Sequence, residues 1–97
     1  RPGSMNLNQV VTLSPDVISQ EVSGETVLLD LNSEHYFGLD EVGTRIWQLI
    51  DSSGNLQEIY DTMLNEYEVE ADQLLEDMAQ LLGDIEKAGL VALKAAS

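Results

Sequence analysis

Cysteine is absent from this 97-residue chain, which excludes disulfides, zinc thiolate sites and thiol nucleophiles together. Basic residues are scarce, with four Lys+Arg against 18 Asp+Glu, so the formal charge is -14. That imbalance repels nucleic-acid phosphates and anionic membrane surfaces alike. A cationic partner is the natural complement. No apolar run approaches the roughly 20 residues that cross a bilayer, and no signal-peptide core is visible. Without thiols, an export signal or a span, the expected setting is cytoplasmic, with neither nucleic acid nor membrane as partner.

What is present is enough to fold, since 43% of residues are hydrophobic and only 23% charged. Such a composition collapses where an acidic tail would stay disordered. The length allows one core and little room for a cleft between domains. Arg1-Pro2-Gly3-Ser4 before Met5 reads as a cloning remnant, residues 5–15 as an N-terminal arm of unassigned structure, and residues 16–97 as the single domain.

Hydrophobic period changes once along the chain. Val17, Ile18 and Val22, then Val27, Leu28, Leu29 and Leu31, flank the turn Ser23-Gly24 and predict a hairpin. After a second turn at Asn32-Ser33, the run His35-Tyr36-Phe37-Gly38-Leu39 predicts a short third strand at the sheet's edge. From Asp40 the spacing is helical, with Val42, Ile46, Leu49 and Ile50 on one stripe that stops at Ser52-Ser53-Gly54. Asn55 and Glu58 resemble a capping box for a second helix carrying Leu56, Ile59, Tyr60, Met63 and Leu64. A third helix holds Leu74, Met78, Leu81 and Ile85 in a narrow arc, flanked on one side by Leu75 and Leu82. Gly89 fits the position just past its end, and Leu90-Val91-Ala92-Leu93 a brief tail strand. The fold class is α+β, winged helix-turn-helix-like, with an N-terminal three-stranded antiparallel sheet followed by three α-helices.

Catalytic and metal chemistry find little support. His35 is the only histidine, and a lone histidine among turn and strand residues is usually surface or interface material. Asp30, Asn32, Glu34 and Glu41 fall at positions one, three, five and twelve of a calcium loop, but His35 stands at the sixth, where a sharp turn requires glycine. A solvated hairpin turn is the simpler reading. Paired carboxylates such as Glu76-Asp77 would need a dry, concave site to do acid/base work, and so short a chain has little volume for one. No phosphate loop is present. No catalytic, cofactor-binding or metal-ligating residue is therefore assigned.

The aromatic strand is more informative. Adjacent strand residues face opposite sides, so if one of Tyr36 and Phe37 points inward the other points out. An edge strand bearing an aromatic, beside a helix with a wide apolar stripe, describes a groove for an extended peptide.

At this point the run from Leu29 to Trp47 resembles the PqqD-like peptide chaperones, also called RiPP recognition elements. The later Tyr67-Glu68-Val69-Glu70, Asp77 and Ile85-Glu86-Lys87-Ala88-Gly89-Leu90-Val91 are similar to that family's second signature. The resemblance spans nearly the whole domain, and it implies a non-catalytic protein that binds the leader region of a ribosomally made precursor by strand addition. It points to His35, Tyr36, Phe37, Gly38 and Leu39 on the strand, and to Asp72, Leu75, Glu76, Ala79 and Leu82 along one flank of the third helix. Asp77 occupies the family's acidic position but projects from the opposite flank by helical arithmetic.

A free-standing domain of this size looks most like the recognition proteins of lasso-peptide systems, which present the precursor to a leader-processing protease. The pyrroloquinoline-quinone chaperone, delivering to a radical SAM enzyme, is the alternative. The expected partners are thus a precursor leader peptide with basic residues and a leader-processing protease or other modification enzyme. A winged-helix DNA-binding regulator is the rival from another class, and Asp72, Glu76, Asp77, Asp84 and Glu86 against Lys87 on its would-be recognition helix weigh against it. A small hydrolase is the third.

Overall fold

The computed structural model describes residues 6–96, and the expected cloning remnant lies outside them. Five strands and three helices follow in the order β1 (Gln9–Leu13), β2 (Val17–Val22), β3 (Glu25–Asp30), β4 (Tyr36–Leu39), α1 (Glu41–Ser52), α2 (Leu56–Glu66), α3 (Ala71–Lys87) and β5 (Val91–Ala95). The predicted meander forms as an antiparallel sheet of order β2-β3-β4, in register Ile18↔Leu29 and Leu29↔Tyr36. The predicted tail strand forms too, and it has a partner.

That partner is the segment expected as an arm. β1 pairs antiparallel with β5 from Gln9↔Ala95 to Leu13↔Val91, and Val11 enters the core. The ribbon is pinned to the helices at the α1–α2 turn, where the Val11 N–H donates to the Gly54 carbonyl at 2.7 Å. Gly54 has φ +76°, and a Cβ there would stand 2.7 Å from the Val11 carbonyl oxygen. Only glycine satisfies both the conformation and the close approach.

Helix boundaries follow from local chemistry. Asp40 caps α1 by accepting from the Gly43 N–H at 2.8 Å, and Asn55 caps α2 by accepting from the Glu58 N–H at 3.0 Å. The Glu58 carboxylate closes the box through a relay: it accepts from the Ser53 hydroxyl, whose oxygen accepts from the Asn55 N–H. α3 ends as its sequence predicts. The Leu90 N–H reaches the Ile85 carbonyl at 2.9 Å and the Gly89 N–H reaches Glu86 at 3.0 Å, which is the Schellman pairing.

The core lies between the inner face of the meander and the helices, where Leu28, Ile46, Leu56, Ile59, Met63, Met78, Leu82 and Ile85 are fully buried. Each such side chain contributes about 1.5–3 kcal/mol on burial. Arg45 on α1 grips Glu66 at the end of α2 through paired hydrogen bonds of 2.7 and 2.6 Å, and this holds the Glu66 carboxyl below the usual carboxylate range. Thr44, 4% exposed, has a hydroxyl oxygen without a hydrogen-bond partner among the described residues.

Candidate functional site

β4 has one strand neighbour among the described residues, β3, so its outer edge is open. The Asp30 N–H donates to the His35 carbonyl at 2.9 Å. Antiparallel alternation then turns the backbone groups of residues 35, 37 and 39 toward β3, and those of Tyr36 and Gly38 toward the free edge. Side chains alternate about the other axis. Phe37 and Leu39 face inward with Leu28 and Thr26, whereas Tyr36 and Gly38 face out.

A cavity of about 530 Å³ opens beside that edge. Phe37, Gly38 and Leu39 form one wall, and Val42, Gly43 and Ile46 of α1 form its floor. The opposite wall is α3, through Asp77, Gln80, Leu81 and Asp84. Gly43 lets α1 pack closely on the end of β4, because a Cβ there would stand 3.3 Å from the Asp40 carboxylate and 3.4 Å from Leu39. A second pocket of about 240 Å³ shares Val42 and Asp77 with the first, and Met63, Tyr67, Val69 and Leu74 make it apolar.

The electrostatics of this furrow have one sign. Asp40, Asp77 and Asp84 line it, and no lysine or arginine does. Asp77 accepts from the neutral Gln73 amide at 2.9 Å and Asp84 from Gln80 at 3.1 Å, so neither carboxylate is neutralised by these partners. The chemistry on offer is backbone hydrogen bonding along β4, apolar burial on the floor and attraction for a cation at the α3 rim.

The structure divides the residues expected at the site. Phe37, Gly38 and Leu39 lie on the cavity wall. Tyr36 offers its backbone to the edge, but its side chain stands on the sheet's other face, 78% exposed. His35 is exposed, one residue ahead of β4. The expected α3 flank does not meet β4. Glu76 and Ala79 border a shallow depression with Gly83, while Ala79 and Leu82 border another against Gln9 and Leu93 of the β1–β5 ribbon. Leu82 is itself core at 1% exposure. Asp72 and Leu75 line neither the furrow nor its neighbouring pocket.

The cause is the ribbon. Because β5 doubles back from α3 to pair with β1, the helix turns its Ala79–Leu82 flank toward that ribbon and its Asp77–Leu81 flank toward β4. At about 100° per residue, positions 77, 80, 81 and 84 share one arc on the other side of the core stripe from 75, 79 and 72. Sequence reasoning missed Gln80, Leu81 and Asp84, and missed Val42 and Ile46 as floor. The repeat at i, i+3, i+4 and i+7 was visible; its direction was not.

The Asp30 turn is held from within. Asp30 accepts from the Asn32 N–H at 3.0 Å and from the Ser33 hydroxyl at 3.1 Å, and Glu34 takes a left-handed φ of 63°. Its carboxylate is occupied in shaping the loop that delivers β4.

Residues 25–91, from the start of β3 to the start of β5, match the family described as coenzyme PQQ synthesis protein D (PqqD). The chain belongs to the PqqD family. A solved structure of TbiB1 in complex with the TbiA(beta) leader peptide is 35% identical to this PqqD-family chain. The match covers 81% of this chain and 92% of that one, with a TM-score of 0.77. Lasso peptide synthetase B1 complexed with the leader peptide shares the fold, at 24% identity, 84% and 96% coverage and a TM-score of 0.75. No curated protein matches the chain in sequence. No helix among the described residues is long and apolar enough to cross a membrane.

Proposed function

We propose that this PqqD-family domain is a non-catalytic recognition protein that binds the leader region of a ribosomally synthesised precursor peptide. The peptide adds as a strand to the open edge of β4 and lies in the furrow between β4 and α3. The observation that carries this reading is the coincidence of an unpaired strand edge, at Tyr36 and Gly38, with a furrow of about 530 Å³ that has an apolar floor and an acidic rim. Each backbone hydrogen bond on that edge contributes about 1 kcal/mol net, and apolar side chains entering the furrow supply the rest.

Asp77 and Asp84 favour a leader with Lys or Arg beside its apolar residues. The bound leader concentrates the precursor's core beside a processing enzyme. Likeness in fold to lasso peptide synthetase B1, itself solved with a leader peptide, favours a leader protease of lasso-peptide biosynthesis as that enzyme, in a cytoplasmic setting where the precursor is made. The domain is proposed to include β1, ahead of the boundary at residue 16 that the sequence pattern suggests, because Gln9–Leu13 pairs with β5 and Val11 joins the core. Delivery to a radical SAM enzyme in pyrroloquinoline-quinone synthesis is the second reading, and the family's description favours it.

A fluorescent leader peptide titrated against the isolated protein should bind with low micromolar or tighter affinity, about -8 kcal/mol. Phe37→Asp should weaken binding without unfolding the protein. Peptide turnover by the protein alone would overturn the non-catalytic reading.

A further inference from the structure

Six large hydrophobic side chains are exposed among the described residues, and five of them, Ile18, Val22, Val27, Leu31 and Tyr36, belong to the meander. Val42, the sixth, borders the furrow. The register gathers the others on one face: Ile18 stands opposite Leu29, Leu29 opposite Tyr36, and Val27 opposite Gly38. Ile18, Val27 and Tyr36, together with Leu29, line a shallow depression of about 320 Å³ on the side of the sheet away from α1. A solvated antiparallel sheet normally turns polar residues to this face. A contiguous apolar patch here marks an interaction surface, where singly scattered side chains would not.

Two observations choose its occupant. The margin is acidic, with Glu25 paired to Val22 at one end of the sheet and Glu34 in the loop at the other, while Arg45, Lys87 and Lys94 lie on α1, α3 and β5. A second copy would bring like-charged margins together, each on a chain of -14. The face is also continuous with the furrow, because β4 belongs to both. A strand added to β4 extends the sheet, and its alternate side chains come to lie beside Tyr36 on the outer face.

From this we infer that the outer face of the β2-β3-β4 sheet docks the enzyme that receives the peptide, through a surface with an apolar centre and a Lys/Arg margin. The bound peptide completes the docking surface, so the loaded protein binds that enzyme more tightly than the empty one. This rests on the reading above, which supplies both the peptide and the enzyme that receives it.

The test uses the purified leader protease encoded beside the precursor as probe, immobilised, with wild-type, Ile18→Asp and Val27→Asp proteins in solution. Both substituted positions are exposed, and circular dichroism checks the fold. The expected result is at least tenfold weaker protease binding by each variant, with leader affinity within twofold of wild type, and severalfold tighter binding by loaded than by empty wild type. Wild-type protease affinity in both variants overturns the proposal. So does the absence of protease binding by wild type, or a wild-type dimer in sedimentation that these substitutions abolish. Equal binding by loaded and empty protein overturns the composite surface alone. Failure of the leader to bind wild type defeats the furrow reading instead, and the protease arm is then read on the empty protein.

Discussion

Gly38→Pro isolates strand addition from every other source of peptide affinity. Gly38 turns its N–H to the free edge, so the residue's own ladder with β3 does not use that donor. A proline is tolerated at an edge position whose N–H faces solvent, and it lowers the entropy of the unfolded chain. The folded domain should therefore keep its melting temperature within a few degrees. A peptide strand, by contrast, loses one of the hydrogen bonds that Tyr36 and Gly38 offer. The net loss is about 1 kcal/mol, rising to about 3 kcal/mol if the peptide carbonyl is left buried and unpaired. Leader affinity should fall between about fivefold and about a hundredfold by fluorescence anisotropy. Gly38→Ala is the control, since a Cβ there meets nothing within 4 Å and the N–H remains. Its affinity should match wild type. If Gly38→Pro binds the leader as wild type does, the peptide does not pair with β4 and the mechanism is refuted.

Leu81→Glu should weaken leader binding at least tenfold while Leu75→Glu leaves it near wild type; the reverse order in the same titration would restore the opposite flank of α3 as the wall. Thr44→Val keeps the side-chain shape and removes a buried hydroxyl without a partner, so stability in urea should rise by about 1 kcal/mol, and a fall would show that the hydroxyl is satisfied in solution. The Arg45 hydrogen bonds lower the folded carboxyl of Glu66, so that group stabilises the fold above the usual carboxylate range and loses its share as pH falls through the depressed value. Glu66→Gln should accordingly flatten the melting-temperature profile below about pH 4.3, and an unchanged acid limb would remove the pair from the account.

The fold was legible wherever a signal is local. Asp40, Asn55 and Gly89 sit at helix boundaries that backbone chemistry dictates, and each cap forms as its residue type predicts. The meander was legible because its turns carry their own markers. What stayed hidden depends on contacts distant in sequence. Gln9–Leu13 has no cap or sustained period to declare it, and it becomes a strand because Val91–Ala95 is there to pair with it. That one pairing also decides which flank of α3 faces β4, so the strand wall of the furrow was readable and the helix wall was not. Leu81 and Leu82 are adjacent and equally apolar, one within the predicted arc and the other flanking it. Only the position of the ribbon makes one a wall of the furrow and the other core.

The sheet has two edges, and energetics explain why a peptide would choose β4 over β2. A micromolar complex needs about -8 kcal/mol after association has cost at least about 4 kcal/mol. Backbone pairing at Tyr36 and Gly38 offers at most four groups, worth about 4 kcal/mol together, so hydrogen bonds barely offset the loss of freedom. The remaining 8 kcal/mol or so requires about 300 Å² of apolar surface removed from water. At the β4 edge, Phe37, Leu39, Val42, Ile46 and Leu81 stand ready to bury it. At the β2 edge the chain is exposed from Ile18 to Val22, and the depression beside it is lined by sheet residues alone, with no helix as a second wall. A leader whose alternate residues are polar should therefore pair with neither edge, however well its backbone fits. The acidic margin refuses the commoner hazard of open strands, because a second copy of this chain meets the same charge at either border.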